Sequence, residues 1–314
     1  MTNIAFVFPG QGAQYLGMGK TLYENSSEVR KLFDAASMRL GQDVAQLCFE
    51  GPEEELKKTE NTQPAILTVS LAAAKLLTEQ GVVPDFLAGL SLGEYSALVF
   101  SHAIGFEDAI SIVRKRAQLM QRAVPIGEGG MAVIVGLSKS QVEECCIIGS
   151  SLGVVEPSNY NSPNQIAISG HIRAIDKACE YAKSLGAKQV VKLPVSAPFH
   201  SSLLAGAGKE LLKYLKTSDF KLPQIPVMSN VCARPYNCTN EIPALLCAQV
   251  SSSVRWEECV RYMSAQGINT FIELGPGKTL SGLIKKITGN ARTYNVEDYA
   301  SLEFTIDSLK RGAA

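Results

Sequence analysis

The segment Gly89-Leu90-Ser91-Leu92-Gly93 sets a serine between two glycines in a G-x-S-x-G pattern. The flanking residues read as a short strand over 86–89 and a helix over 94–100, so the motif falls on a strand–turn–helix elbow. Such a turn lifts the serine out of the sheet, and its glycines let neighbouring backbone come close. The free N–H groups and partial positive charge of the following helix then face the oxygen on which negative charge builds during acyl transfer. Standing alone, the same serine is also consistent with an ordinary helix cap in a Gly-rich turn. A hydroxyl becomes a useful nucleophile only when a base takes its proton, so a histidine should accompany it. The chain has three. His102, just past the elbow helix in SHAIG, reads as a loop or cap residue. His171 stands at a turn before a helix, usually an exposed position. His200, in LPVSAPFHS, lies where the chain crosses from one structural unit to another, a favoured place for an active site. Each alone is more often structural; given Ser91, His200 is the best candidate for the base.

A second chemical signal lies in the helix read over 106–123. Glu107, Ser111, Arg114, Lys115, Gln118 and Arg122 supply a polar side, and Ala109, Ile110, Ile112, Val113, Leu119, Met120 and Ala123 an apolar one. Arg116 follows Ile112 by four residues and precedes Leu119 by three, which points it into the apolar stripe. A guanidinium there is costly unless paired. Its partner is a protein carboxylate, or the side chain reaches back to the surface, or the planar fork holds a substrate carboxylate bidentately. Periodicity alone slightly favours the two structural explanations.

These residues need elements to hold them. Short apolar runs ending in Gly or Pro read as parallel strands: 4–8 before PGQG, 86–89 before LSLG and 270–274 before GPG. Helical stretches such as 62–80 and 106–123 lie between them. This is the α/β pattern of a parallel sheet covered by helices on both faces. Turns at the carboxyl ends of such strands gather into one crevice, so the three Gly-rich turns are expected to be neighbours. From about 127 to 193 the rhythm changes. A strand (131–135), a Ser-capped helix (138–146), two strands joined across NSPN (154–159 and 165–169), a helix (174–185) and a strand (189–193) follow in order. That β-α-β-β-α-β series is ferredoxin-like. The expected organisation is a large α/β domain from 1–126 and 194–314, with an inserted small subdomain at 127–193.

Composition narrows the function. The chain of 314 residues carries 30 Lys plus Arg against 30 Asp plus Glu, and this balance argues against nucleic-acid binding, which needs a basic surplus. A local basic cluster at Lys285, Lys286 and Arg292 is a candidate dock for an acidic partner, though such clusters are usually solvated surface. The N-terminal apolar run is too short for a signal peptide, and the longest apolar stretch, 66–77, is broken by Thr68, Ser70 and Lys75. No membrane association is expected. The eight cysteines include no C-x-x-C pair, so reduced thiols in the cytoplasm fit better than metal or redox chemistry.

Taken together, the segments FPGQGAQYLGMG (8–19), TQPAI (62–66), GLSLGEYSAL (89–98), RKRAQLMQ (114–121), NYNSPNQIAISG (159–170), PVSAPFHSSLL (194–204) and ELGPGKTLSGL (273–283) resemble malonyl-CoA:acyl-carrier-protein transacylases. The likeness covers essentially the whole chain, in the family's order. It implies a hydrolase-like α/β domain with a ferredoxin-like insertion, and transfer of malonyl from malonyl-CoA to the phosphopantetheine thiol of holo acyl carrier protein for fatty-acid or polyketide synthesis. Malonyl-CoA and CoA enter as substrate and product, with no separate cofactor or metal, and a monomer is expected. By the resemblance, Ser91 carries the acyl group and His200 is its base and later acid. A backbone carbonyl at the position of Gln249, in LLCAQVSSSVRW, orients the histidine. The N–H groups of Gln11 and Leu92 form the oxyanion hole, Arg116 binds the free malonyl carboxylate, and Asn159 and Asn161 help line the cleft. One departure stands out: the family's commonest elbow is G-H-S-x-G, whereas position 90 is Leu. Activity is expected to survive, since that residue need not touch the proton relay. Rival readings are a thioester hydrolase or editing enzyme on the same dyad, a nucleotide binder using the Gly10–Gly12 loop, and a catalytically silent partner in a synthase complex. The loop lacks both G-x-G-x-x-G spacing and a P-loop Lys-Ser/Thr.

Overall fold

A computed structural model of the chain describes residues 3–312. Its strands, in chain order, are β1 (Ile4–Phe8), β2 (Phe86–Gly89), β3 (Gly129–Val135), β4 (Val155–Ser162), β5 (Gln165–His171), β6 (Gln189–Lys192), β7 (Thr270–Leu274) and β8 (Arg292–Val296). They form two four-stranded sheets. The first has the order β2-β1-β7-β8 with every pair parallel. In β1 all five residues are buried, as a central strand covered on both faces requires. Phe6 and Phe8 enter the core on one face with Leu67 and Leu98, while Ala5 and Val7 enter the other with Trp256 and Phe271. This is the period-2 alternation of a pleated strand serving two cores.

Two additions to this sheet were not anticipated. The edge strand β8 reads RTYNV and is mostly half-exposed, so it lacks the apolar run by which the inner strands announce themselves. On the opposite edge, Leu87 N donates to Pro226 O at 2.8 Å and Met228 N donates to Leu87 O at 2.9 Å, so the chain around Val227 lies beside β2.

The second sheet is antiparallel, in the order β4-β5-β3-β6. Numbered within its own unit this is 2-3-1-4, the ferredoxin-like arrangement that the β-α-β-β-α-β series implied. Its helices, Lys139–Gly149 and Ile172–Ser184, bury Val142, Cys145, Ala178 and Cys179 against Ile134 and Ile168 of the sheet. Ser138 closes a capping box with Gln141 at the start of the first. Strand β4 runs on to Ser162, beyond the expected end at 159, through two register irregularities in its pairing with β5 that break the alternation. Its outer edge is tied to the rest of the protein: Tyr160 N donates to Val254 O at 2.9 Å, and Val254 N to Ser158 O at 2.8 Å. No helix among the described residues is long and apolar enough to cross a membrane.

Because β2, β1 and β7 are adjacent and parallel, the turns after Gly89, Phe8 and Leu274 do gather at one edge. The elbow helix, Gly93–Phe100, packs there so closely that a Cβ on Gly93 would lie 2.1 Å from Phe8 O, and one on Gly89 would lie 1.8 Å from the Gly93 carbonyl carbon. Nothing but glycine fits at either place. Gly93→Ala should therefore destabilise the protein by about 3 kcal/mol or more, since backbone must move. Gly206→Ala, at an exposed position of the helix Ala205–Leu215 with nothing within 4 Å of an added Cβ, should leave stability unchanged or raise it by about 0.5 kcal/mol. Urea denaturation midpoints of the two variants check the contrast.

Candidate active site

At the elbow Ser91 has φ 55°, in the left-handed region that a side chain disfavours. A residue held there stores about 1–3 kcal/mol of strain and needs surrounding structure to keep it. Asn230 supplies that structure. Its Oδ1 accepts from Ser91 N at 2.7 Å and its Nδ2 donates to Gly89 O at 2.8 Å, so one buried amide clamps the turn on both sides. Asn230 follows the stretch that flanks β2, and this placement brings it under the elbow.

His200 comes from the irregular segment after β6. Its Nε2 lies 2.7 Å from Ser91 Oγ, and its Nδ1 lies 2.7 Å from the backbone carbonyl of Gln249. The carbonyl can only accept, so Nδ1 carries a proton and Nε2 presents its lone pair to the serine hydroxyl. His200 also has a positive φ of 61°. Burial drives its pKa down to about 3, and the nearby charge of Arg116 pushes the same way; hydrogen bonds to the backbone at Gln249 and Ser252 oppose them. The imidazole is thus neutral at ordinary pH. The other histidines lie apart from this centre: His102 is exposed, and the Nδ1 of His171 accepts from Val154 N at 3.0 Å.

Arg116 is 1% exposed, so it does not reach the surface. No ion pair among the described residues includes it, so it has no protein carboxylate in contact either. Its partners are neutral: Nη1 donates to Gln63 Oε1 at 2.8 Å, and Nη2 to Gln249 Oε1 at 2.8 Å and to Ser91 Oγ at 3.0 Å. The guanidinium carbon stands 5.5 Å from the centroid of the Tyr95 ring. Gln249 therefore serves the centre twice, by its backbone carbonyl to His200 and by its side chain to Arg116. Behind it lies Glu94, fully buried, which accepts from Gln249 Nε2 at 2.6 Å, from Asn230 N at 3.1 Å and from the hydroxyl of Tyr236.

The remaining expected positions divide. Leu92 follows Ser91 and is buried; Gln11 is half-buried and linked to Arg116 through Gln63, whose Nε2 donates to Gln11 Oε1 at 3.4 Å. Among the described residues, neither the Gln11 nor the Leu92 backbone N–H has a protein acceptor. From Gln11 polar contacts continue through Thr59 and Gln121 to Ser196, along a cavity of about 400 Å³ that these residues help line. Asn159 is buried and Asn161 half-buried in β4, and neither side chain is hydrogen-bonded to Ser91, His200, Arg116 or Gln249. Leu90 packs toward the cluster around Trp256 and Met228. Lys285, Lys286 and Arg292 are exposed, with Lys286 Nζ donating to Gln165 Oε1 at 3.1 Å.

Sequence reasoning missed Gln63, Glu94, Asn230 and Tyr236. Glu94 left a readable signal, being the only charged residue in the apolar helix GEYSALVF, the same anomaly that exposed Arg116. Asn230 left none, since its role depends on a chain crossing that no local pattern encodes. Asn230→Ala should cost about 1–3 kcal/mol, because it leaves Ser91 N and Gly89 O unpaired. It should also slow labelling of Ser91 by an organophosphorus serine reagent, measured by intact mass; undiminished labelling would mean that the elbow holds without its clamp.

The acyl transferase domain family matches residues 5–303. The malonyl CoA-acyl carrier protein transacylase of Bacillus subtilis is 45% identical over 311 residues, covering 99% of this chain and 98% of that one. The crystal structure of the malonyl CoA-acyl carrier protein transacylase from Clostridium perfringens superposes with a TM-score of 0.96 at 45% identity, over 99% of this chain and 98% of the other. A malonyl-transacylase solved in complex with a type II PKS acyl-carrier protein superposes with a TM-score of 0.95 at 40% identity, over 97% and 99%. With a matching fold and close relatives along nearly its full length, this chain belongs to the malonyl CoA-acyl carrier protein transacylase family of acyl transferase domains.

Proposed function

We propose that the protein transfers malonyl from malonyl-CoA to the phosphopantetheine thiol of an acyl carrier protein through an ester on Ser91. The observation that carries this is Arg116: a buried cation with no carboxylate in contact among the described residues, its Nη2 3.0 Å from the Ser91 oxygen. The malonyl carboxylate is one methylene away from the carbonyl under attack. A cation that reads it must therefore sit beside the nucleophile, and the fork of Arg116 does. A longer dicarboxylic acyl chain would carry its charge past this point.

The steps follow from the geometry. Ser91 Oγ attacks the thioester carbonyl as its proton passes to His200 Nε2, and the carbonyl oxygen becomes an oxyanion facing the free N–H groups of Gln11 and Leu92. Collapse breaks the carbon–sulfur bond, and CoA leaves with the proton from His200. The carrier's thiol then gives its proton to the same nitrogen and attacks the ester carbonyl; collapse breaks the ester carbon–oxygen bond, and His200 Nε2 returns the proton to Ser91 Oγ. The Gln249 carbonyl holds Nδ1–H throughout, in place of the carboxylate of a Ser-His-Asp triad. No metal or redox group is needed for any step. The cavity reaching Gln11 is where the thiol-bearing arm would lie, Asn159 and Asn161 border the cleft, and the exposed Lys285, Lys286 and Arg292 suit an acidic carrier. Residues 1–126 and 194–314 bear the chemistry, and 127–193 form the small unit whose return segment delivers His200.

Incubation with malonyl-CoA and holo carrier protein should yield malonyl-carrier by mass spectrometry; free malonate with an unloaded carrier would instead make the protein a hydrolase. Arg116→Ala should lower malonyl transfer by about a hundredfold or more while improving the relative use of acetyl-CoA. Equal losses for both substrates would make the arginine structural.

The same charge predicts a pH effect. In the free enzyme Arg116 helps hold the His200 pKa near 3, so the base form persists far into acid and is lost only as pH falls through that value. A bound malonyl carboxylate neutralises Arg116 and lets the imidazole titrate higher. The acid limb of kcat should therefore lie above that of kcat/KM for malonyl-CoA, and the two should converge in Arg116→Ala. Coincident limbs in the native enzyme would refute the coupling.

A further inference from the structure

The side-chain amide of Gln249 lies between a cation and an acid that do not touch. Its Oε1 faces Arg116 Nη2 at 2.8 Å, whereas its Nε2 faces Glu94 Oε2 at 2.6 Å and the Ser91 carbonyl at 2.9 Å. A guanidinium can only donate, and a carboxylate and a carbonyl can only accept. Turning the amide over would set NH₂ against the guanidinium and oxygen against two oxygens, forfeiting all three bonds inside a buried centre. Glu94 is itself held by donors alone. Tyr236 OH meets Oε1, and Asn230 N meets Oε2 beside Gln249. Burial raises its pKa to about 7, while these hydrogen bonds and the charge of Arg116 favour the ionised form.

We propose that Glu94 is a positioning residue for acyl selection: its carboxylate fixes the Gln249 amide with the oxygen toward Arg116, which aims the guanidinium at the substrate carboxylate without occupying it. This rests on the reading of Arg116 given above. A carboxylate in direct contact would form the bidentate pair itself and leave no room for the acyl group. At one amide's remove, Glu94 steadies the buried cation through an oriented dipole and leaves the Arg116 Nε–H without an acceptor among the described residues. The Glu94 carboxylate makes no hydrogen bond to Ser91 or His200; it reaches Arg116 through the Gln249 side chain and also accepts from Asn230 N, so a general loss of activity from a loosened elbow is told apart by the acetyl rate.

The test is Glu94→Gln, which keeps the volume but removes the charge and replaces one of the two acceptor oxygens with a donor, weakening the hold on the Gln249 amide. Initial rates with malonyl-CoA and acetyl-CoA on holo carrier protein are compared with those of Arg116→Ala, after thermal melting shows each variant folded. Malonyl transfer should fall about ten- to a hundredfold, chiefly through KM, with acetyl transfer changed less than about threefold. Equal losses on both substrates, or an unchanged malonyl-to-acetyl ratio, would overturn the proposal. If Arg116→Ala shifts the ratio and Glu94→Gln does not, only the role of Glu94 falls; if neither shifts it, the reading of Arg116 falls as well. Should Glu94→Gln fail to fold, Tyr236→Phe applies the test from the other side by removing a donor to Glu94 while keeping its charge. A smaller loss of malonyl preference is expected there, and no loss in that folded variant would count against the proposal.

Discussion

A guanidinium taken out of water and given only neutral partners is the constraint around which this site is organised. Arg116 loses its hydration almost completely, and amide and hydroxyl oxygens return part of what is lost. Such an arrangement persists only where the surrounding groups cannot rearrange to cover the charge. Gln63 approaches from the long buried helix Thr59–Glu79, Gln249 from the end of Glu241–Gln249 and Ser91 from the elbow. Each partner is anchored by its own element. The fold thereby keeps a positive charge incompletely compensated beside the Ser91 hydroxyl, and under the proposed function an incoming carboxylate would complete it.

The elbow carries strain of a different kind, and the two are connected. Ser91 and His200 both sit at positive φ, so each of the two hydrogen-bonded side chains is aimed by a backbone that would relax elsewhere if freed. Asn230 clamps the first. Gln249 holds the second by its carbonyl and also binds Ser91 O through its side chain. The glycines on either side of Ser91 let β1, β2 and the elbow helix approach to a separation that admits no Cβ. Packing of the sheet edge and geometry of the dyad are therefore one problem, and a change in either disturbs both.

Much of this was legible in the sequence, for reasons that differ by residue. The inner strands showed as apolar runs because a doubly covered strand must be apolar on both faces. Arg116 showed because a helix stripe makes a misplaced cation conspicuous, and His200 because few histidines competed for one serine. The overlooked strand β8 is half-exposed and polar, and β4 was cut short because its irregularities break the alternation on which a strand assignment rests. Asn230 and Tyr236 reach the centre through long chain crossings, 139 residues from Ser91 and 142 from Glu94 respectively, which no local window can register. The family resemblance supplied the Gln249 carbonyl, but the second task of that residue required its side chain to be seen between Arg116 and Glu94.

Under the proposed function, selection of the acyl group and activation of Ser91 share one charge. Arg116 lowers the basicity of His200, and its Nη2 also donates to the Ser91 hydroxyl, so the residue proposed to read the substrate also holds the Ser91–His200 pair in check. A carboxylate that draws the guanidinium away would relieve both effects together, leaving Ser91 Oγ to His200 and making the imidazole a stronger base. A neutral acyl group or a lone water brings no such relief. On that proposal discrimination against them would arise in the proton transfer itself and not only in binding, which is the form of specificity that guards a reactive ester most directly.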